Sequence, residues 1–181
     1  AFVSSVETTL HRVNRMLQEK AAQDYEHRTI GSTVVILLVY QEQAACLWVG
    51  DSRIYRLRRS RLQQLTRDHS HVQELLDRGL INADEANNHP MSNVITRAVG
   101  SSEDLQVDKI AFTIEPGDVY LLCSDGLNKV VSDSEIAKFL TNTQAQHAVK
   151  GLLNTALRRM ADDNVTTTVV TINQGEVDTG S

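Results

Sequence analysis

Three stretches of this 181-residue chain place carboxylates where apolar runs begin or end. Asp51 in LWVGDSR follows the run Cys46–Val49, and Asp125 in LLCSDGL follows Val119–Cys123. Asp162 and Asp163 in ADDNVTTTVVTI precede Val165–Ile172. Each run reads as a strand. If the strands neighbour one another antiparallel, an entry end lies beside an exit end and the carboxylates converge. Converging carboxylates raise one another's pKa unless a cation stands between them, and all-oxygen ligation suits hard Mg²⁺ or Mn²⁺. Gly50 and Gly126 would let the backbone turn sharply and leave room for metal-bound water. Spacing alone leaves a plainer reading open, because Gly-Asp or Asp-Gly after a strand is an ordinary turn. Asp162 and Asp163 can equally turn the chain into the strand, and Asp118 reads as a turn residue rather than a ligand.

Other reactive side chains point elsewhere. Cys46 and Cys123 sit inside apolar runs, as core thiols of a reducing compartment do. His69 reads as a residue of the turn into a capped helix rather than a general acid. Arg53 and Arg97 could approach an anion, but an internal salt bridge with an aspartate is the favoured reading. The basic run RIYRLRRSR (53–61) reads as a solvated strand edge. The net charge of −5 argues against nucleic acid as partner. The longest apolar run, Val34–Tyr40, is short of a membrane span, and no signal-peptide pattern opens the chain. A soluble cytoplasmic protein, with no membrane and no nucleic acid among its partners, is the expectation.

The elements that must position these residues alternate in period. Phe2, Val6, Leu10, Val13 and Leu17 recur at helical spacing, so the chain opens inside a helix over about 3–22. Thr33–Tyr40 is β-branched and apolar on both faces, which predicts a central strand. Ala44–Val49 returns as its hairpin partner, and 53–57 with 61–65 form the next pair. Ser70 with Gln73 predicts a capping box and Gly79 a helix stop. A second short helix starts near Asn82 with Glu85 three residues on, and His89-Pro90 ends it. Strands over 110–114 and 119–123 flank a Glu115-Pro116-Gly117-Asp118 turn. Ser132 and Glu135 cap a helix carrying Ile136, Phe139 and Leu140, and a longer helix over about 143–160 precedes the last strand. Trp48 and Phe112 read as core. The prediction is one α+β domain over 1–172 with a flexible tail at 173–181.

The segments GSTVV (31–35), VGDSRIYRLR (49–58), LTRDHS (65–70), HPMSNVITRAVG (89–100), EPGDVYLLCSDGL (115–127) and DNVTTTVV (163–170) occur together in one order. In wording and order they resemble the bacterial branch of the protein phosphatase 2C family, the metal-dependent Ser/Thr phosphatases. That resemblance implies two antiparallel sheets packed face to face and flanked by helices, a four-layer αββα sandwich with metal at one end. It implies that Asp125 and Asp163 are core metal ligands and that Asp51 holds an additional ion. The cofactors would be Mn²⁺ or Mg²⁺, two core ions with a third in some bacterial members. Residues 69–93 would form the flap beside the site. The implied substrate is a phosphorylated protein, the implied counterpart a Ser/Thr kinase pathway. GSTVV, LWVGDSR, QLTRDHS and NVITRAVG further resemble phosphatases of bacterial secretion-system signalling.

The implied mechanism is in-line attack on phosphorus by a metal-activated water, so no side-chain nucleophile is required. No Cys-x₅-Arg loop and no D-x-D near the first strand points to another phosphatase chemistry. Two departures stand out. The family's opening segment, with its phosphate-holding Arg and metal-bridging Asp-Gly, is not in this sequence, which predicts a domain incomplete at its N-terminal side. Lys129 stands where many relatives carry a further acidic ligand. The alternative is a phosphatase-like binding module that engages a kinase or scaffold without turnover; intact Asp51, Asp125 and Asp163 favour the enzyme.

Overall fold

A computed structural model describes residues 2–24, 29–87, 89–141 and 143–173; most of the expected tail lies outside them. In chain order the elements are α1 (Phe2–Asp24), β1 (Val34–Tyr40), β2 (Gln43–Val49), β3 (Arg53–Arg58), β4 (Arg61–Gln64), α2 (His71–Asp77), α3 (Ala83–Asn87), β5 (Asp108–Thr113), β6 (Val119–Cys123), α4 (Asp125–Asn128), α5 (Asp133–Leu140), α6 (Ala145–Arg158) and β7 (Thr167–Thr171). The strands form two antiparallel sheets, ordered β1-β2-β5 and β4-β3-β6-β7.

Strand alternation builds the layers. Cys46, Trp48, Val35, Leu37, Ile110 and Phe112 of the first sheet face Ile54 and Leu122 of the second. The opposite face of the first sheet carries Val34, Ile36 and Val49 against Leu10 and Leu17 of α1. The outer face of the second sheet sets Tyr55, Leu57, Leu121 and Cys123 against Ile136 and Leu140 of α5 and Leu152 and Ala156 of α6. The result is the helix–sheet–sheet–helix sandwich expected.

Several expectations change. β1 is not central: it lies at one edge of its sheet, and β2 takes the middle. Both faces of β1 are nonetheless covered, by α1 and by the second sheet, which explains its unbroken apolar run. The buried stripe of α1 includes Asn14 rather than Val13, and Phe2 is 64% exposed. Asn14 is tolerated inside because its amide donates to Ser102 O and accepts from Gly100 N–H.

The strands flanking the Pro116-Gly117 turn do not pair with each other; the turn carries the chain from one sheet to the other. Asp118 is more than a turn residue, being buried and bonded by Arg58, Tyr120 OH and Glu115 N–H. At α2 half of the expected capping box forms. Ser70 Oγ accepts from Gln73 N–H, but the Gln73 amide donates to Asp77 instead. At α3 the box is reciprocal, Asn82 N–H to Glu85 and Glu85 N–H to Asn82. At α5 the Ser132 N–H donates to Glu135 as expected.

Candidate metal-binding cleft

β3 and β7 both run antiparallel to β6, with Arg53 and Thr167 each paired to Cys123. The loop before β3, the turn after β6 and the loop before β7 therefore meet at one end of the second sheet. These carry Asp51, Asp125 and Asp163 respectively.

Asp51 sits in the crossing from β2 to β3. Gly50 turns there with φ +110°, and a Cβ would strike the Thr33 side chain at 2.4 Å, so glycine is required. Thr33 Oγ1 also lies 3.0 Å from Ser52 Oγ, which ties the GSTVV segment to GDSR. His69 clamps the same turn. Its Nδ1 accepts from Gly50 N–H at 3.1 Å, and the His69 backbone N–H donates to Gly50 O at 2.9 Å. With Nδ1 accepting, Nε2 carries the proton and meets Asp108 Oδ2 at 3.2 Å. The imidazole thus fastens the turn.

Asp125 opens α4, a helix that sequence reasoning missed because its four residues are too few to show a helical period. Ser124 precedes it and holds the neighbouring loop. Its hydroxyl donates to Asn164 O at 3.0 Å and accepts from Thr166 N–H at 2.9 Å. Asp125 is ion-paired with Lys129 one turn along. Asp163 stands on the adjoining loop, its Oδ1 accepting from Asn164 N–H at 2.6 Å.

Asp51, Asp125, Lys129 and Asp162 line one cleft of about 880 Å³, together with residues of α2 and α3 and with Asn128, Val130, Ser132, Glu135 and Arg159. Burial, and then the Asp125 charge, hold the Asp51 carboxyl above its ordinary range. The structure therefore brings Asp51 and Asp125 together, while Asp163 is adjacent through its backbone but is not among the lining residues. Among the described residues no group of three or more His, Cys, Asp or Glu is arranged to hold an ion. The donor chemistry still fits a hard divalent cation: two carboxylates repel across the cleft, and a tethered ammonium sits on one of them.

The two arginines have other work. Arg53 makes a forked bond to Asp68, with Nη2 at 2.7 Å from Oδ2, and donates to Tyr55 OH. Arg97 pairs with Asp108 at 3.1 Å. Cys46 and Cys123 are free and buried, and burial pushes both thiols up to about 12.

A family model of protein phosphatase 2C matches residues 1–161. The chain belongs to the protein phosphatase 2C family. Among bacterial members it is 36% identical over 157 residues to protein phosphatase PhpP of Streptococcus pneumoniae, covering 86% of this chain and 64% of that protein. The solved structure of PppA, described as a key regulatory component of T6SS in Pseudomonas aeruginosa, shares 44% identity at a TM-score of 0.86. The match covers 94% of this chain and 70% of PppA. Stp1 of Staphylococcus aureus, a serine/threonine phosphatase, superposes with a TM-score of 0.89 at 30% identity, covering 94% of this chain and 68% of Stp1. A phosphatase 2C relative, the catalytic domain of PstP, was solved with two manganese ions at 31% identity and a TM-score of 0.81, covering 89% of this chain and 67% of that one. The chain thus spans about two thirds of these relatives.

Proposed function

We propose that this protein hydrolyses phosphoserine and phosphothreonine in proteins, opposing a Ser/Thr kinase in the bacterial cytoplasm, with Asp125, Asp163 and Asp51 as carboxylate ligands of Mn²⁺ or Mg²⁺. The observation that carries this reading is the meeting of the three carboxylate turns at one end of the second sheet, with Asp51 and Asp125 facing the same cleft. The names of the relatives, a protein phosphatase and serine/threonine phosphatases, agree with it. The likeness to PppA favours a substrate in secretion-system signalling.

Bound divalent ions would supply an activated water and screen the charge of the phosphoryl group. The chain's own residues do the rest. Ser124 holds the Asp125 and Asp163 loops at fixed separation through its bonds to Asn164 and Thr166. His69 fixes the Asp51 turn. Arg53 is spent on Asp68, which leaves Lys129 as the lining ammonium able to meet a phosphoryl oxygen once Asp125 is engaged by metal.

The test is hydrolysis of a phosphothreonine peptide and of para-nitrophenyl phosphate with Mn²⁺, beside the Asp125→Asn variant. Metal-dependent turnover that falls by about 100-fold or more in the variant is expected, as for loss of a group stabilising transition-state charge. Mn²⁺ binding without turnover would instead support the binding-module reading.

A further inference from the structure

The β3–β4 hairpin carries an arginine cluster at the end of the sandwich away from the carboxylate cleft. β3 starts at Arg53 beside the cleft and ends at Arg58. Arg56 and Arg58 share one face of β3, and the register places Gln63 opposite Arg56 and Arg61 opposite Arg58. With Arg59 in the turn, these residues border a concavity of about 440 Å³.

The charges there do not cancel. Arg58 takes Asp118 and Glu115, and Arg59 shares Glu115. Among the described residues the Arg56 side chain bonds only the Gln63 amide, and it lies over the Phe112 ring. The Arg61 side chain has no ion pair or hydrogen bond among the described residues. Four guanidiniums against two carboxylates leave two positive charges, on a chain whose net charge is −5.

Two local costs are borne at this place. Arg58 and Arg61 are directly opposed like charges, a destabilising cross-strand pair. Arg59 and Ser60 hold φ of 50° and 62°, the left-handed turn backbone that Asn-Gly fills with less strain. Blunting an edge strand needs charge on β4. It does not need arginines of β3 gathered around the same hollow, one of them locked in place by a buried carboxylate.

We propose that this hairpin end binds a phosphate monoester dianion at a site separate from the cleft. Guanidinium forks match phosphate oxygens in pairs, and two surplus charges match a group of about −1.5 to −2 at neutral pH. The hollow lies within the roughly 300–1,000 Å³ range of ligand sites, room for a phosphorylated residue with its neighbours rather than an ion alone. The site would hold one phosphorylated segment of a partner while the cleft addresses another. This inference does not depend on the metal reading.

The test is fluorescence anisotropy of a labelled phosphothreonine peptide, run metal-free in EDTA, beside its unphosphorylated counterpart and with inorganic phosphate as competitor. The proteins are wild type, the double variant Arg59→Gln/Arg61→Gln, and a charge-matched control, Arg12→Gln/Lys150→Gln, at exposed positions of α1 and α6. Arg59 is 83% exposed and Arg61 is exposed, so the double variant keeps the fold, which its melting temperature checks. We expect the phosphopeptide to bind at least 10-fold more weakly to the hairpin double variant, with a shallower salt dependence, and unchanged to the charge-matched control. Displacement by millimolar inorganic phosphate assigns the site to the phosphate group alone; failure to displace, with the unphosphorylated peptide silent, assigns it to the phosphorylated segment. Equal binding by the hairpin double variant, or equal binding of the unphosphorylated peptide, overturns the proposal and leaves a charged edge only.

Discussion

Replacing Gly126 by alanine sets two effects of opposite sign against each other. Gly126 lies inside α4, where alanine is favoured over glycine by about 0.8–1 kcal/mol. Propensity alone therefore predicts a more stable protein. The packing predicts the reverse, because a Cβ at this position would stand 2.6 Å from Asn164 O and 3.2 Å from Asp163 O. Ordinary contact begins at 3.4 Å, so the Asn164 carbonyl must retreat by about 0.8 Å. That carbonyl also accepts the Ser124 hydroxyl at 3.0 Å, so its retreat loosens the bond joining the two ligand-bearing loops. Overpacking costs about 1–3 kcal/mol. The net loss after the helix gain is up to about 2 kcal/mol, roughly 4–8 °C in melting temperature at the upper end. The larger effect falls on metal. Displacing the supports of a ligand typically costs about 10- to 100-fold in affinity, and Asp163 moves with its loop. Titration calorimetry with Mn²⁺ and a melting curve in EDTA read both quantities. A Gly126→Ala protein that melts above wild type and binds Mn²⁺ with unchanged affinity would refute the reasoning.

Other expectations follow from the same geometry. For Asp118, burial pushes the carboxyl up, but Arg58, Glu115 N–H and Tyr120 OH outweigh it and hold the pKa below its ordinary value. Asp118→Ala should lose about 2–4 kcal/mol at pH 7, somewhat less than a fully buried pair because Arg58 keeps Glu115. That stability is present above the unfolded pKa of about 3.9 and disappears as pH falls through the lower folded value. The melting difference should therefore close in acid; a gap that persists below it would count against the assignment. Asp51 has the opposite sign, since its carboxyl is held high by burial and then by Asp125. Asp51→Asn should raise the melting temperature in EDTA at pH 7–8, with the gain shrinking at lower pH, and weaken Mn²⁺ binding; a drop in EDTA would contradict the reading. Lys129→Gln removes a partly exposed ion pair worth about 1 kcal/mol and should tighten Mn²⁺ roughly 5-fold, by calorimetry. Both thiols, pushed up to about 12 by burial, should resist alkylation at pH 8 until the protein is unfolded.

Much of the site was legible because its chemistry lies in local strings. SDGL, GDSR and DDNVT carry the carboxylates, and the first two also carry the glycines, Gly126 and Gly50, that let the chain turn. The Asn82–Glu85 and Ser132–Glu135 pairs were legible for the same reason: a cap is written within four residues. What the sequence could not reveal is nonlocal. The apolar run of β1 reports that both its faces are covered, but hydrogen-bonding edges leave no mark on side-chain polarity, so a central strand was expected where an edge strand stands. Gln73 had two acceptors within reach, and only the fold decides that Asp77 takes the amide. Asn14 looks like a surface residue of α1 until Gly100 and Ser102 arrive from some ninety residues away. The role of His69 was similarly hidden, since nothing in LTRDHS says that Gly50 will lie beside it.

The crossings between sheets give the cleft an uneven mechanics. Asp125 and Asp163 both hang from β6 and β7 of one sheet and are stitched together through Ser124. Asp51 sits on the strap between sheets, bolted by His69 to Asp108 of β5 in the other. Any sliding of one sheet over the other leaves the Asp125–Asp163 spacing almost unaltered and changes the gap from Asp51 to both. The sandwich thus holds two of its carboxylates as a fixed jaw and the third as a movable one.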